Sequence, residues 1–186
     1  MGSIFRIACA AAMVASGNAS AAEFDAAIGK VGYGRCHMLV CGFFIIDEAV
    51  PVGVGKDGTL FALSARYWSN EYSDKAADPY KAPPVKVGKP SKSSVGLVYC
   101  SKVRPTVFDY SDQKWQATLL RVGDERALSG ASESARTFYF AACHHFVTRD
   151  PVAKEMALKL GYRFALEKGE EQYDSDSAQE PMAMLR

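Results

Sequence analysis

Met38-Leu39-Val40-Cys41-Gly42-Phe43-Phe44-Ile45-Ile46 decides the fold class. It is a continuous, uncharged run dominated by β-branched and aromatic side chains, as suits a strand covered on both faces. Working outward, Thr59 to Trp68 reads as a second strand with Phe61, Leu63, Ala65 and Tyr67 on one face, because side chains alternate with period two. Val95 to Cys100 is a third. Lys114 to Leu120 alternates cleanly, with Trp115, Ala117 and Leu119 facing in and Lys114, Gln116 and Thr118 facing out. Thr137 to Cys143 is rich in aromatics and reads as another strand, and Val103 to Tyr110, broken at Pro105, as a shorter one. Hairpin-length connections between such strands predict a mainly β fold, an antiparallel β-sandwich or a small barrel.

One C-terminal helix completes the predicted fold. Asp150 suits the N-cap and Pro151 the first helical position. Val152, Met156 and Leu160 then form an apolar stripe, Glu155 and Lys159 pair at i, i+4, and Gly161 stops the helix. Two segments read as loosely structured. Ser69 to Ser94 carries Pro79, Pro83, Pro84 and Pro90 with five lysines, which predicts a long surface loop. From Glu167 to Arg186 there are six acids, two bases and almost no large apolar residue before Met182, the composition of a disordered acidic tail.

The amino terminus reads as a signal peptide over residues 1–22. Arg6 gives a positive start, Ile7 to Ala15 is an uncharged apolar run, and Ala19-Ser20-Ala21-Ala22 offers small residues for cleavage after Ala21 or Ala22. Nine apolar residues fall short of the roughly 20 that span a bilayer. No later stretch of the sequence reaches that length, so no membrane span is expected after cleavage. Residues 23–166 read as a single β-rich domain carrying the 69–94 loop on its surface, and 167–186 as the tail.

Removing the leader removes Cys9, and the even set Cys36, Cys41, Cys100 and Cys143 reads as two disulfides of an exported, periplasmic or secreted protein. If Cys36 and Cys41 lie on one extended segment they are roughly 16 Å apart. A disulfide needs Cα atoms within about 7 Å. Each is therefore expected to reach one of Cys100 and Cys143, unless the chain turns between them.

Charge and composition narrow the function. The chain of 186 residues holds 22 basic and 21 acidic side chains, with 48% apolar and 23% charged residues. That excludes a strongly basic nucleic-acid binder, an acidic disordered chain and a collagen-like polymer. The balance is a sum of unlike parts, since residues 23–166 carry 19 bases against 15 acids while the tail is acidic.

Motifs that resemble catalytic ones are incomplete. Gly53-Val54-Gly55-Lys56-Asp57-Gly58 has the letters of a dinucleotide-binding loop, but a strand follows where that loop must open a helix. Lys56-Asp57-Gly58-Thr59 reads instead as a hairpin turn, with Asp-Gly supplying positive φ. Gly130-Ala131-Ser132-Glu133-Ser134 lacks the final glycine of a nucleophile elbow. A hydrolase using Ser132 would need His37, His144 or His145 as its base. Cys143-His144-His145 could pair a thiolate with an imidazole or contribute to a metal site. On a strand, however, adjacent histidines point to opposite faces, and a paired Cys143 has no thiol chemistry.

The expected function is therefore non-catalytic binding by an exported, disulfide-supported β domain. Neither cofactor nor metal is implied. The favoured surface is the lysine- and proline-rich loop, with Tyr72, Tyr80 and Lys81 as candidate binding residues. Its expected partner is another envelope protein or an anionic ligand, not nucleic acid. Two alternatives compete: a small periplasmic hydrolase or metal-dependent enzyme built around His144, His145 and Ser132, and an envelope protein with a structural role.

Overall fold

The computed structural model of the chain describes residues 26–111, 113–120, 122, 130–162, 173–174 and 181–186. The segment 1–22, expected to be a signal peptide, lies outside them. Six antiparallel strands form a meander: β1 (Val31–His37), β2 (Val40–Val54), β3 (Gly58–Glu71), β4 (Ser94–Ser101), β5 (Thr106–Ser111) and β6 (Lys114–Leu119). Their spatial order is their chain order. After the helices α1 (Gly130–His144) and α2 (Asp150–Lys159) comes a two-residue strand, β7 (Tyr173–Asp174), paired with Gln116 and Ala117 of β6.

The sheet is single and open, which corrects the expected sandwich or barrel. Its second layer is α1, formed over residues whose aromatic content predicts a strand at 137–143. Phe138, Tyr139, Phe140 and Cys143 are all buried in this helix. Residues 136–143 are buried at every position, Arg136 and Thr137 included, so this half of the helix belongs to the core, and a short apolar run such as 138–143 does not distinguish helix from strand by periodicity. Beneath α1 lie Phe44, Ile46, Leu63, Ala65, Val98 and Val107. Phe138 packs edge-on against Phe44, with ring centroids 5.1 Å apart.

α1 also covers the open edge of β1. Ser134 Oγ accepts the Arg35 N–H at 2.8 Å, and Thr137 Oγ1 donates to the Tyr33 carbonyl at 2.5 Å. An uncovered edge strand is a template for unwanted pairing. α2 is entered through Arg149, which occupies the N-cap position expected for Asp150, and Gly161 lies just past its end with φ 81°.

The run 38–46 is not one strand. Met38 and Leu39 have φ of 47° and 64° and turn the chain between β1 and β2. Two successive positive φ values are what a tight hairpin needs. Cys36 thereby faces Cys41, with Cα atoms 4.0 Å apart, and the two form a disulfide. This overturns the expected long-range pairing, whose 16 Å estimate assumed an extended chain. The second disulfide, Cys100–Cys143, ties β4 to α1 across 43 residues.

The opposite sheet face is covered in two pieces. Leu60, Tyr99, Phe108 and Ala117 lie under Leu185, from a 3-10 helix at Pro181–Leu185. A Cβ on Gly53 would approach the Leu185 side chain to 2.3 Å, so the hairpin is bare there to admit it. β7 and this helix correct the expectation that the tail orders nowhere: backbone pairing and a few apolar anchors suffice at those residues. Cys41, Phe43 and Tyr72 form the other piece, under the loop 72–93.

Candidate functional site

The connection after β3 is a fixed platform and not a loose loop. Its entry is tied to the β1–β2 turn, where the Tyr72 N–H donates to the Leu39 carbonyl at 2.9 Å. Asp78 opens a turn by accepting the Tyr80 N–H at 3.1 Å, the local bond that short acidic side chains make to their own backbone. The Tyr80 ring then stands edge-on to Tyr33 and Phe43, and Phe43 stacks on Trp68 with centroids 5.6 Å apart. The Tyr80 hydroxyl donates to the Gly34 carbonyl at 2.6 Å, beside the register shift between Tyr33 and Cys36. Arg149 covers the ring's other side at 5.1 Å, a cation–π contact, while its guanidinium binds Asp78 at 3.0 and 3.2 Å.

Electrostatics derive from this packing. Burial, with the nearby Glu133 carboxylate, pushes the Tyr80 phenol up to about 12. Burial alone would raise Asp78, but its bonds to Arg149 and the Arg149 charge outweigh that, and the net shift is downward.

The returning arm runs beside the last residues of β3. The Glu71 carbonyl accepts from the Val85 and Lys86 N–H groups, the Glu71 N–H donates to the Lys86 carbonyl, and Lys86 Nζ meets the Glu71 carboxylate at 2.6 Å. Gly88 N–H reaches Asn70 Oδ1 at 3.1 Å, and Ser91 bonds Tyr67 through both backbone and side chain. A Cβ at Gly88 would lie 2.0 Å from the Ser69 carbonyl oxygen, so only glycine allows this approach.

The candidate binding residues therefore divide. Tyr72, expected at the surface, is only 6% exposed, and Tyr80 is half-buried. Both hold the loop down by burying ring surface, and the Tyr80 hydroxyl also keeps a hydrogen-bond acceptor in the Gly34 carbonyl. Lys81 is exposed, 3.5 Å from Asp78, and Lys75, Lys89 and Lys92 are exposed with it. Sequence reasoning missed Asp78, Arg149 and the Tyr33–Phe43–Trp68 stack. The Asp78-Pro79 step is a legible turn signal, but its ionic partner lies 71 residues away.

The candidate catalytic residues do not assemble. α1 runs antiparallel to β1, with Ser134 beside Arg35 and the Ala141 carbonyl accepting from the Ala27 N–H. Ser132 is thus at one end of the helix and His144 twelve residues on, about 18 Å along the axis. His144 Nε2 is hydrogen-bonded to the Tyr162 hydroxyl, which donates to Tyr139 at 3.0 Å; Tyr139 in turn bonds both backbone groups of Ser101. Burial raises the Tyr139 phenol well above its usual value. His145, with φ 52°, accepts from Lys30 Nζ at 2.5 Å through Nε2 and gives its Nδ1 proton to the Ala26 carbonyl. The two histidines leave a helix end and not a strand, so the opposite-face argument does not apply to them. His37 is exposed beside the β1–β2 turn and bonds the Arg35 guanidinium at 3.1 Å. Cys143 is disulfide-bonded. Among the described residues no three His, Cys, Asp or Glu side chains are grouped to hold a metal.

The glycine-rich stretch is the hairpin between β2 and β3, closed by a Gly55 N–H bond to the Gly58 carbonyl at 2.8 Å. The expected positive φ at Asp57-Gly58 is not used. Gly58 serves closeness instead, since a Cβ there would lie 2.3 Å from the Cys100 carbonyl oxygen. Asp57 accepts from the buried Tyr99 hydroxyl at 2.5 Å and from Arg104 at 3.0 Å twice. No protein-family model, no curated protein and no solved structure matches this chain.

Proposed function

We propose that this is an exported β domain that acts by binding an anionic partner through the outer surface of the loop 72–93. One observation carries the reading: the loop's tyrosines are turned inward as anchors while Lys75, Lys81, Lys89 and Lys92 face water. A surface held in place beforehand loses little conformational freedom on association. Two disulfides support an extracellular or periplasmic setting. Export itself rests on the leader, and intact mass of the protein recovered from the producing cell should show a chain beginning at Ala22 or Glu23.

Titration with heparin tests the binding surface. Binding should weaken steeply as salt rises, because exposed charges are screened within about 10 Å at 0.1 M salt. Exchanging Lys75, Lys81, Lys89 and Lys92 for glutamine should abolish it with little change in melting temperature, since only the exposed Lys81–Asp78 pair is lost. No binding by the parent chain, or equal binding by the variant, would overturn the reading.

A further inference from the structure

We infer that the anionic partner is a lipid bilayer, with Val85 and Val87 entering its interfacial layer; this rests on the loop being an anion-binding surface. Val85 and Val87 are 67% and 68% exposed, although the chain around them is clamped. Between them Lys86 is held to Glu71 by backbone bonds and an ion pair, which fixes this segment beside the end of β3. The chain bends at Val85, where the Glu71 carbonyl accepts from two successive N–H groups, and the two valines flank this tie with both side chains left in solvent.

The charge of their own segment is one-signed. From Pro79 to Ser93 there are four lysines and no acid. Of the neighbouring acids, Glu71 is paired with Lys86 and Asp78 with Arg149, and Asp74 is the remaining acid of the loop. Lys81, Lys89 and Lys92 are exposed, Lys81 lying 3.5 Å from Asp78.

A polysaccharide would engage these lysines and leave the valines in water. A bilayer engages both, since ammonium groups stay with the headgroups while aliphatic side chains reach the acyl boundary. Each lysine close to an anionic surface strengthens partitioning about fivefold. Each CH2 transferred out of water adds about fourfold.

The test is co-sedimentation of the full chain with vesicles of mixed phosphatidylglycerol and phosphatidylcholine, beside phosphatidylcholine vesicles and heparin. The mixed vesicles should bind it and the neutral ones should not. The double variant Val85→Ser, Val87→Ser should bind mixed vesicles at least about tenfold more weakly while keeping its heparin affinity. In Val87→Trp, the new indole emission should shift to the blue when mixed vesicles are added. Heparin binding without vesicle binding, or a serine variant that binds vesicles as tightly as the parent, would overturn the lipid assignment and leave the anionic surface standing. Failure of both heparin and vesicles would remove the surface as well.

Discussion

Asp57 shows how a single residue can be placed correctly in a turn while its role goes unread. Its position between glycines announces a hairpin, and a hairpin is there. Its partners, Tyr99 and Arg104, come from a strand and a turn more than 40 residues away, which no local pattern encodes. Burial tends to raise the Asp57 carboxyl, but hydrogen bonds from Arg104 and Tyr99 with the Arg104 charge leave it below the usual carboxylate range. Burial and the Asp57 carboxylate push the Tyr99 phenol in turn up to about 12. A carboxyl lowered on folding stabilises the fold above its unfolded value of about 3.9, and that contribution is lost as pH falls through the lowered native value. Asp57→Asn should therefore lower stability at pH 7 by about 1 kcal/mol, a figure reduced from that of a fully buried charged bond because water reaches the pair. Urea unfolding of both proteins at neutral and strongly acid pH would check this, the gap between them closing in acid.

Among the elements, strands were the most legible and α1 the least. Leu63 and Ala65 lie on one buried face, and Ala117 and Leu119 are buried as their alternation predicts. The segment 137–143 misled because Thr, Phe and Tyr favour strands, whereas here a complete turn-by-turn burial rewards the helix. The turn at Met38–Leu39 was hidden for a similar reason: neither residue has the permissive backbone that usually marks positive φ. At the loop, proline and lysine content gave the position but not the fixity, since the anchors are tyrosines whose acceptor and ring partners are remote. Tyr80→Phe keeps the ring packing and leaves the Gly34 carbonyl without its donor. The expected cost is about 1 kcal/mol. Limited proteolysis should then cut within 72–93 faster than in the parent, while the sheet core melts only slightly earlier.

Across the whole molecule, the long β2–β3 ladder separates two ends of unlike character. β3 alone covers 14 residues, about 45 Å if fully extended. The lysine loop lies at one end, and the 3-10 helix of the acidic tail is seated on Gly53 and Gly55 at the other. Near-neutral composition thus conceals a molecule whose basic surface is kept away from that anchored end of the tail. The two disulfides also differ by scale. One closes a separation of 5 residues and the other a separation of 43. In the chain-entropy account, replacing both cysteines of a pair by serine should cost about 2 kcal/mol for Cys36 and Cys41 and about 4 kcal/mol for Cys100 and Cys143. Denaturant midpoints of the two double variants would rank them, and equal losses would argue against that account. The tie between Cys100 and Cys143 has a consequence for cohesion as well. Cys36 and Cys41 lie on neighbouring strands of one hairpin, so their bond confines nothing beyond it, whereas Cys100 and Cys143 join the sheet to the helix layer above it. A chain holding only the first bond keeps α1 on its sheet by packing and hydrogen bonds alone.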